Sequence, residues 1–322
     1  MMKQAQISAW GEAPKCIQVP TPPLPTPTTT GGRDEIVQIR VLATGLHMHV
    51  RSRASGTHYS STALPYIPGV DGVGRTVPDG ALVFFAVLRR PQGGSFTEII
   101  NVPRGSTCPV PSEGGDPVQV AGLVNPVMAS WMAFASRLDM GRLPAGFTVV
   151  LLGVTTLSGR VAVDVARVFG AGTVVGVGRD EGRMKAVGVD EVVLLKEGGK
   201  GEATDWGGAV DADVVLDFLY GDAALGLLMH LKGEKPVQYV QIGTLAGGSV
   251  ELPGALLRSR DITMRGSGRG SWEMRDFARE APGIVGAIAS RKIRKQGFRE
   301  VKLEDVEAAW GVEGGERIVV VP

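Results

Sequence analysis

Cysteine is scarce: Cys16 and Cys108 are the only two in 322 residues. That excludes a disulfide framework and a cysteine-rich zinc site, and it points to a reducing cytosol. A dominant charge is missing as well. Lys and Arg number 34 against 33 Asp and Glu, a net +1, which argues against a dedicated binder of nucleic acid or membrane surface. No unbroken apolar run reaches the roughly 18 residues that span a bilayer. The opening Met-Met-Lys-Gln-Ala-Gln lacks the apolar centre of a signal peptide. What is present is the balance of a soluble globular protein, 43% hydrophobic and 21% charged, with length enough for two domains with sizeable cores. The 46 glycines and 20 prolines call for many turns, which suits a strand-rich module beside an α/β one.

The chain is organised around Val149-Val-Leu-Leu-Gly-Val-Thr-Thr-Leu-Ser-Gly159. The apolar run Thr148–Leu152 predicts a strand buried on both faces of a parallel sheet. Gly153 ends it, and Ser158 offers an N-cap hydroxyl. Val161, Val165, Val168 and Phe169 then recur at helical spacing, Gly170-Ala-Gly172 closes the helix, and Thr173–Val177 reads as the next strand. This is the first βαβ half of a dinucleotide-binding domain, its helix N-terminus turned toward a pyrophosphate. The usual turn there is G-x-G-x-x-G. Here Val154 and Thr156 stand at the first two glycine positions, and only Gly159, the third, is kept. An ordinary strand-to-helix turn without a nucleotide is the competing reading.

Before this stretch the pattern is mostly β. Residues 3–20 read as a strand pair turning at Gly11–Pro14, and the Pro/Thr-rich segment 20–32 as an exposed loop. Glu35–Ala43 alternates as a strand should, and 44–56 holds a helical turn. Leu64–Gly74 packs glycine and proline around Asp71, expected to bond backbone N–H groups in a glycine turn. Strands at Ala81–Val87 and Ser95–Val102 follow. Asn125-Pro126 is a good helix start. After Gly159 the α/β pattern continues through Val192–Leu195, Val214–Phe218, Val237–Ile242 and Ile262–Arg265, with helices at Asp222–Leu231 and Trp272–Ala289. Phe298–Lys302 and Arg317–Val321 read as strands returning to the first domain.

The order of motifs, from Gly69-Val-Asp-Gly-Val-Gly74 through Gly93–Glu98, the Asn125–Trp131 helix, the 149–159 turn, Val214–Gly221 and Gln241–Gly243 to Leu256–Ser267, resembles the medium-chain dehydrogenase/reductase superfamily. It is similar in particular to the zinc-independent quinone oxidoreductase-like branch. The resemblance spans almost the whole chain. It implies an α/β protein with a GroES-like, mostly antiparallel β catalytic domain (1–125, completed by 268–322). A Rossmann domain with a doubly wound parallel sheet (126–267) accompanies it. It also implies NADPH or NADH in a cleft between the domains, and a homodimer formed through the Rossmann domain. The positions that hold catalytic zinc in alcohol dehydrogenases of the superfamily fall on His47, Val70 and Asn125. Valine and asparagine do not make a tetrahedral N/S site, so no metal is expected.

At the end of the second Rossmann strand, NAD-specific relatives carry an acidic residue for the ribose hydroxyls. Here Gly178 stands there, followed by Arg179 and, one helical turn on, Arg183, which favours NADPH through charge-assisted contacts to a 2′-phosphate. The resemblance adds Gly153, Thr155, Thr156, Leu157, Ser158 and Gly159 as pyrophosphate contacts, and Asn125, Gly243, Gly266 and Ser267 as further cofactor contacts. Tyr59 and Asn125 are the candidate catalytic groups, and His47, Tyr59 and Trp131 the candidate lining of the substrate pocket. Without zinc, hydride transfer suits a quinone or enone whose oxygen takes up the charge. The rival reading, supported by Thr156, is a protein of the same fold that binds cofactor or serves biosynthesis without hydride transfer. A nucleic-acid side role has only the dispersed Arg258, Arg260, Arg265 and Arg269 behind it.

Overall fold

The computed structural model describes residues 1–26, 32–57, 61, 63–87, 94–196, 203–268, 270–312 and 316–322. His58, Tyr59, Gly93 and Arg269 lie outside the described residues. The chain divides into two compact units, Met1–Asn125 with Ala281–Pro322, and Pro126–Glu280.

Ile36–Gly45, buried along most of its length, is the central strand of the first unit. It pairs antiparallel with Asp71–Val77 on one side and with Arg317–Val321 on the other, while Ile99–Pro103 pairs along its first half. Leu82–Ala86 and Thr107–Pro109 extend the sheet one way and Phe298–Lys302 the other. Met2–Gln6 and Lys15–Val19 form the separate strand pair. The inward residues Val37, Ile39, Val41, Val83, Phe85, Ile100 and Val102 make one continuous core.

In the second unit, β1 (Thr148–Leu152), α1 (Leu157–Val168), β2 (Thr173–Gly178), α2 (Glu181–Val187), β3 (Glu191–Leu194), β4 (Val214–Asp217), α3 (Gly221–His230), β5 (Val237–Gln241), α4 (Gly254–Ser259) and β6 (Ile262–Gly266) follow in sequence. All six strands run parallel in the order β3-β2-β1-β4-β5-β6, which is the Rossmann order. The unbroken apolar run of β1 is buried on both faces: Val150 and Leu152 join Val215, Ala224 and Leu227 in the cluster beneath α3, while Val149 and Leu151 are equally inaccessible. Truncating such a side chain, as in Leu151→Ala, costs about 2–5 kcal/mol.

One sequence expectation is corrected here. The helix holding Asn125-Pro126 begins at Pro117 and runs to Ser136, so the pair sits inside it. Asp116 starts the helix, its carboxylate accepting from the Val118 and Gln119 N–H groups at 3.1 and 3.3 Å, with Pro117 in the first-turn position that tolerates proline. Pro126 has no N–H to return to the Gly122 carbonyl. This helix is also long and apolar enough to cross a membrane by length and composition, although Gly122, Asn125 and Pro126 interrupt any unbroken run. Its most apolar stretch is 67% buried within the protein, as in a core helix.

Candidate functional site

Parallel strands all deliver their following loops to one edge of the sheet. That edge collects Gly153–Gly159 after β1, Gly178–Arg179 after β2, Asp217–Tyr220 at β4, Gly243 after β5 and Gly266–Ser267 at β6. β1 and β4 are neighbours whose chains depart to opposite sides, which makes the space between them the switch-point crevice where such sheets bind ligands.

The β1 turn is built for close approach. Gly153 has φ +91°, and a Cβ there would reach Leu219 Cδ2 at 2.9 Å. A Cβ at Gly159 would lie 2.3 Å from the Gly153 carbonyl oxygen, so helix and strand touch where the third fingerprint glycine sits. Val154, at the first glycine position, is wholly buried. Its room comes from Gly176 on β2, where a Cβ would come within 3.0 Å of Val154 Cγ1. Thr156, and not Ser158, is the N-cap of α1. Its Oγ1 accepts from the Gly159 N–H at 3.0 Å and donates to the Gly153 carbonyl at 3.0 Å. Both hydroxyl functions are therefore committed within the turn. The N–H groups of Leu157 and Ser158 come too early in α1 for intrahelical partners, and Thr155 to Ser158 are partly exposed.

At the end of β2, Gly178 is buried and Arg179 exposed. No ion pair or hydrogen bond holds Arg179 among the described residues. Arg183 is engaged: Asp180 caps α2 through the Arg183 N–H at 2.9 Å and pairs with the Arg183 guanidinium at 3.3 Å.

Sequence reasoning assigned no role to the group at the end of β4. Asp217 is completely buried. Its Oδ1 accepts the Leu219 and Tyr220 N–H groups, both at 2.8 Å, and its Oδ2 accepts the Tyr239 hydroxyl. Burial pushes its carboxyl above the usual carboxylate range, opposed by the hydrogen bonds from Tyr220, Tyr239 and Leu219. Burial and the facing Asp217 push the Tyr239 phenol upward as well. Tyr220 is held at φ 59°, ψ −160°, a glycine-like conformation that costs a side-chain-bearing residue on the order of 1–3 kcal/mol. The available signal was a carboxylate closing the apolar run Val214–Leu216. The Asp217 carbonyl accepts from Ile242 and Gly243, and Ser267 donates to Gln241, which ties the β4, β5 and β6 ends together.

In the first unit, His47 is 1% exposed and both ring nitrogens are bonded. The Arg317 guanidinium can only donate, so Nδ1 accepts at 3.1 Å and the proton sits on Nε2, which donates to Asp71 Oδ1 at 3.1 Å. Asp71 thus opens a strand and faces a histidine, in place of the expected glycine-turn role. Val70 is buried in the core. Among the described residues no three His, Cys, Asp or Glu side chains group as metal ligands. Asn125 is partly exposed, and its amide has no partner among the described residues.

Trp131 belongs to the second unit's core rather than to its crevice. Its ring meets Phe169 edge-on at 5.0 Å and Nε1 donates to Glu280 at 3.1 Å. Phe169 is the C-cap of α1, about 18 Å along the helix from the turn.

No protein-family model matches the chain. A protein of Emericella nidulans, "Probable NADPH-dependent quinone reductase tdiC", is 35% identical over 370 aligned residues, covering 100% of both chains. The fold is shared with solved structures of lower identity. A quinone oxidoreductase of Escherichia coli complexed with NADPH matches at TM-score 0.73 and 15% identity, over 99% of this chain and 100% of that one. A mycobacterial quinone oxidoreductase matches at TM-score 0.76 and 16% identity, over 100% of each. With a relative of that identity along its full length, the chain belongs to the zinc-independent quinone oxidoreductase branch of the medium-chain dehydrogenase/reductase superfamily.

Proposed function

We propose that the chain is an NADPH-dependent reductase of quinones, enones or other conjugated carbonyls. The observation that carries this reading is the crevice at the β1/β4 switch point. Gly153 and Gly159 let backbone come close there, the start of α1 faces it, and Gly178 followed by Arg179, which has no partner among the described residues, replaces the carboxylate that would repel a 2′-phosphate.

NADPH, when bound, supplies a hydride to the acceptor. The residues that would hold it are the 153–159 turn for the pyrophosphate, Arg179 for the 2′-phosphate, and Gly243, Gly266 and Ser267 at the far strand ends. Arg183 assists less, because Asp180 already neutralises it. Hydride arrival at a conjugated acceptor leaves negative charge on oxygen, which a hydrogen-bond donor stabilises in the transition state. Tyr59 and the uncommitted amide of Asn125 are the groups proposed to provide that donor. Both ring nitrogens of His47 are engaged, by Asp71 and Arg317, so neither is available to a substrate.

A second reading, a protein of the same fold that binds cofactor or serves biosynthesis without hydride transfer, draws on Thr156, whose side chain occupies the turn at the second glycine position of the usual G-x-G-x-x-G fingerprint. One pair of measurements separates the two readings. NADPH titration by fluorescence reports binding, and NADPH oxidation against quinones, enones and aldehydes reports turnover. Turnover supports the first reading, whereas weak or absent binding, or binding with no turnover on any acceptor, favours the second. The resemblance also supports a homodimer through the Rossmann unit, which light scattering tests.

A further inference from the structure

Three loops at the carboxyl ends of β1, β4 and β5 are linked through Asp217 and its neighbour Leu219. From Asp217, the carboxylate takes the N–H groups of Leu219 and Tyr220, and the carbonyl takes those of Ile242 and Gly243. Leu219 in turn accepts from the Ala246 N–H at 2.8 Å, and its side chain lies against Gly153, leaving no room for a Cβ there. The strained residue of this turn, Tyr220, is the one whose N–H the carboxylate grips. Strain persists only where surrounding contacts over-determine it, and it concentrates at functional sites. Tyr239 completes the arrangement from β5 by donating its hydroxyl to the second carboxylate oxygen. The whole device lies in the second unit, directly beneath the switch point.

We propose that Asp217, backed by Tyr239, is a positioning residue for the cofactor: its buried carboxylate clamps the Leu219–Tyr220 turn so that Leu219 stays seated on Gly153 and the crevice keeps the shape that receives the dinucleotide. The inference rests on the reading that NADPH occupies this crevice. Asp217 touches neither cofactor nor acceptor, so its influence falls on cofactor affinity and not on the chemical step. An asparagine of the same shape still accepts the two backbone N–H groups, but more weakly. It also presents an amide N–H₂ to the Tyr239 hydroxyl, which then loses its acceptor.

The test is a double-mutant cycle read by NADPH titration, with steady-state kinetics alongside. Asp217→Asn should weaken NADPH binding about tenfold, the scale of one charge-assisted hydrogen bond, while kcat at saturating NADPH stays within about twofold of wild type. Tyr220→Gly alone should bind nearly as wild type, because glycine adopts φ 59° without strain. In the Tyr220→Gly background, Asp217→Asn should weaken binding less than about threefold, since the turn no longer needs the clamp. A role confined to global stability predicts equal losses in both backgrounds, and that result overturns the proposal. So does an unchanged NADPH affinity in folded Asp217→Asn. Should that variant fail to fold, Tyr239→Phe replaces it: it keeps the carboxylate and both backbone bonds and should weaken binding about threefold to fivefold, and no change overturns the proposal. If wild type itself binds no NADPH, the functional reading fails and the clamp falls with it. If wild type binds while the variants behave additively or like wild type, only the clamp fails.

Discussion

Replacing Thr156 by glycine should tighten NADPH binding, and the structure sets the size of the effect. The Thr156 hydroxyl accepts the Gly159 N–H and donates to the Gly153 carbonyl, each at 3.0 Å. Losing the cap to glycine costs only a few tenths of a kcal/mol, and the added backbone freedom costs about 0.5–1 kcal/mol. Against this, the Gly159 N–H is released at the helix end that faces the pyrophosphate, where a hydrogen bond to a charged group contributes about 1.5–3 kcal/mol. The balance lies near 1 kcal/mol, or about fivefold tighter binding. Thr156→Ser is the control, because it keeps the cap and should bind as wild type does. Fluorescence titration at fixed pH and salt measures both, and denaturant melts of the free proteins check that Thr156→Gly loses no more than about 1.5 kcal/mol of stability. Weaker binding in Thr156→Gly, with Thr156→Ser unchanged, would refute the reasoning and make the capped turn itself the phosphate-ready conformation.

Arg179→Ala should erase about tenfold to a hundredfold of the preference for NADPH over NADH, the equivalent of about 1.5–3 kcal/mol, while NADH affinity hardly changes. Arg183→Ala, already paired with Asp180, should lose less than about threefold; equal losses for NADH would make Arg179 structural. Tyr59→Phe should lower kcat about tenfold, roughly 1.4 kcal/mol, at unchanged NADPH affinity, and unchanged kcat across several acceptors would remove Tyr59 from proton delivery. Cys108 is 5% exposed and burial pushes its thiol up to about 11, so a charged disulfide reagent at pH 8 should titrate at most Cys16 in the native protein and both thiols in denaturant. Because the folded state holds that proton above the ordinary thiol value of 9.0, stability contributed by the neutral thiol should fade as pH rises from about 9 through about 11, and Cys108→Ala should melt with less pH dependence over that window.

The second unit was legible because its signals are local. An apolar run bounded by glycine, followed by helical spacing, fixes β1, α1 and β2 within a residue or two, and Gly159 has the close contact its position requires. What failed did so for identifiable reasons. Thr156 and Ser158 are both good caps by residue type, and only the geometry of Gly153 decides that the helix begins at Leu157. Asn125-Pro126 carries a helix-start pattern, but the apolar residues upstream extend the helix through it at the loss of one backbone bond. The contact of Trp131 with Phe169, which stacks on Phe134, was likewise not legible from the sequence. Long-range polar partners leave no periodicity at all. Arg317 on His47, and Tyr239 on Asp217, pair residues 270 and 22 positions apart, and nothing in the intervening chain announces either.

The pairing of Arg317–Val321 with Ile36–Gly45 has a consequence for biosynthesis. The second unit is one continuous stretch, Pro126–Glu280, and is complete on the nascent chain before the first. The first unit needs a strand that emerges about 270 residues after its partner, roughly a quarter of a minute to a minute later at ordinary rates of about 5–20 residues per second. Until then the second half of one edge of its central strand, at Thr44 and Gly45, has no neighbour, and His47 has no guanidinium at Nδ1. Translation therefore inverts the order in the sequence: the part begun first is finished last, and an open strand edge of the kind that invites pairing with other chains stays available while the ribosome completes the rest.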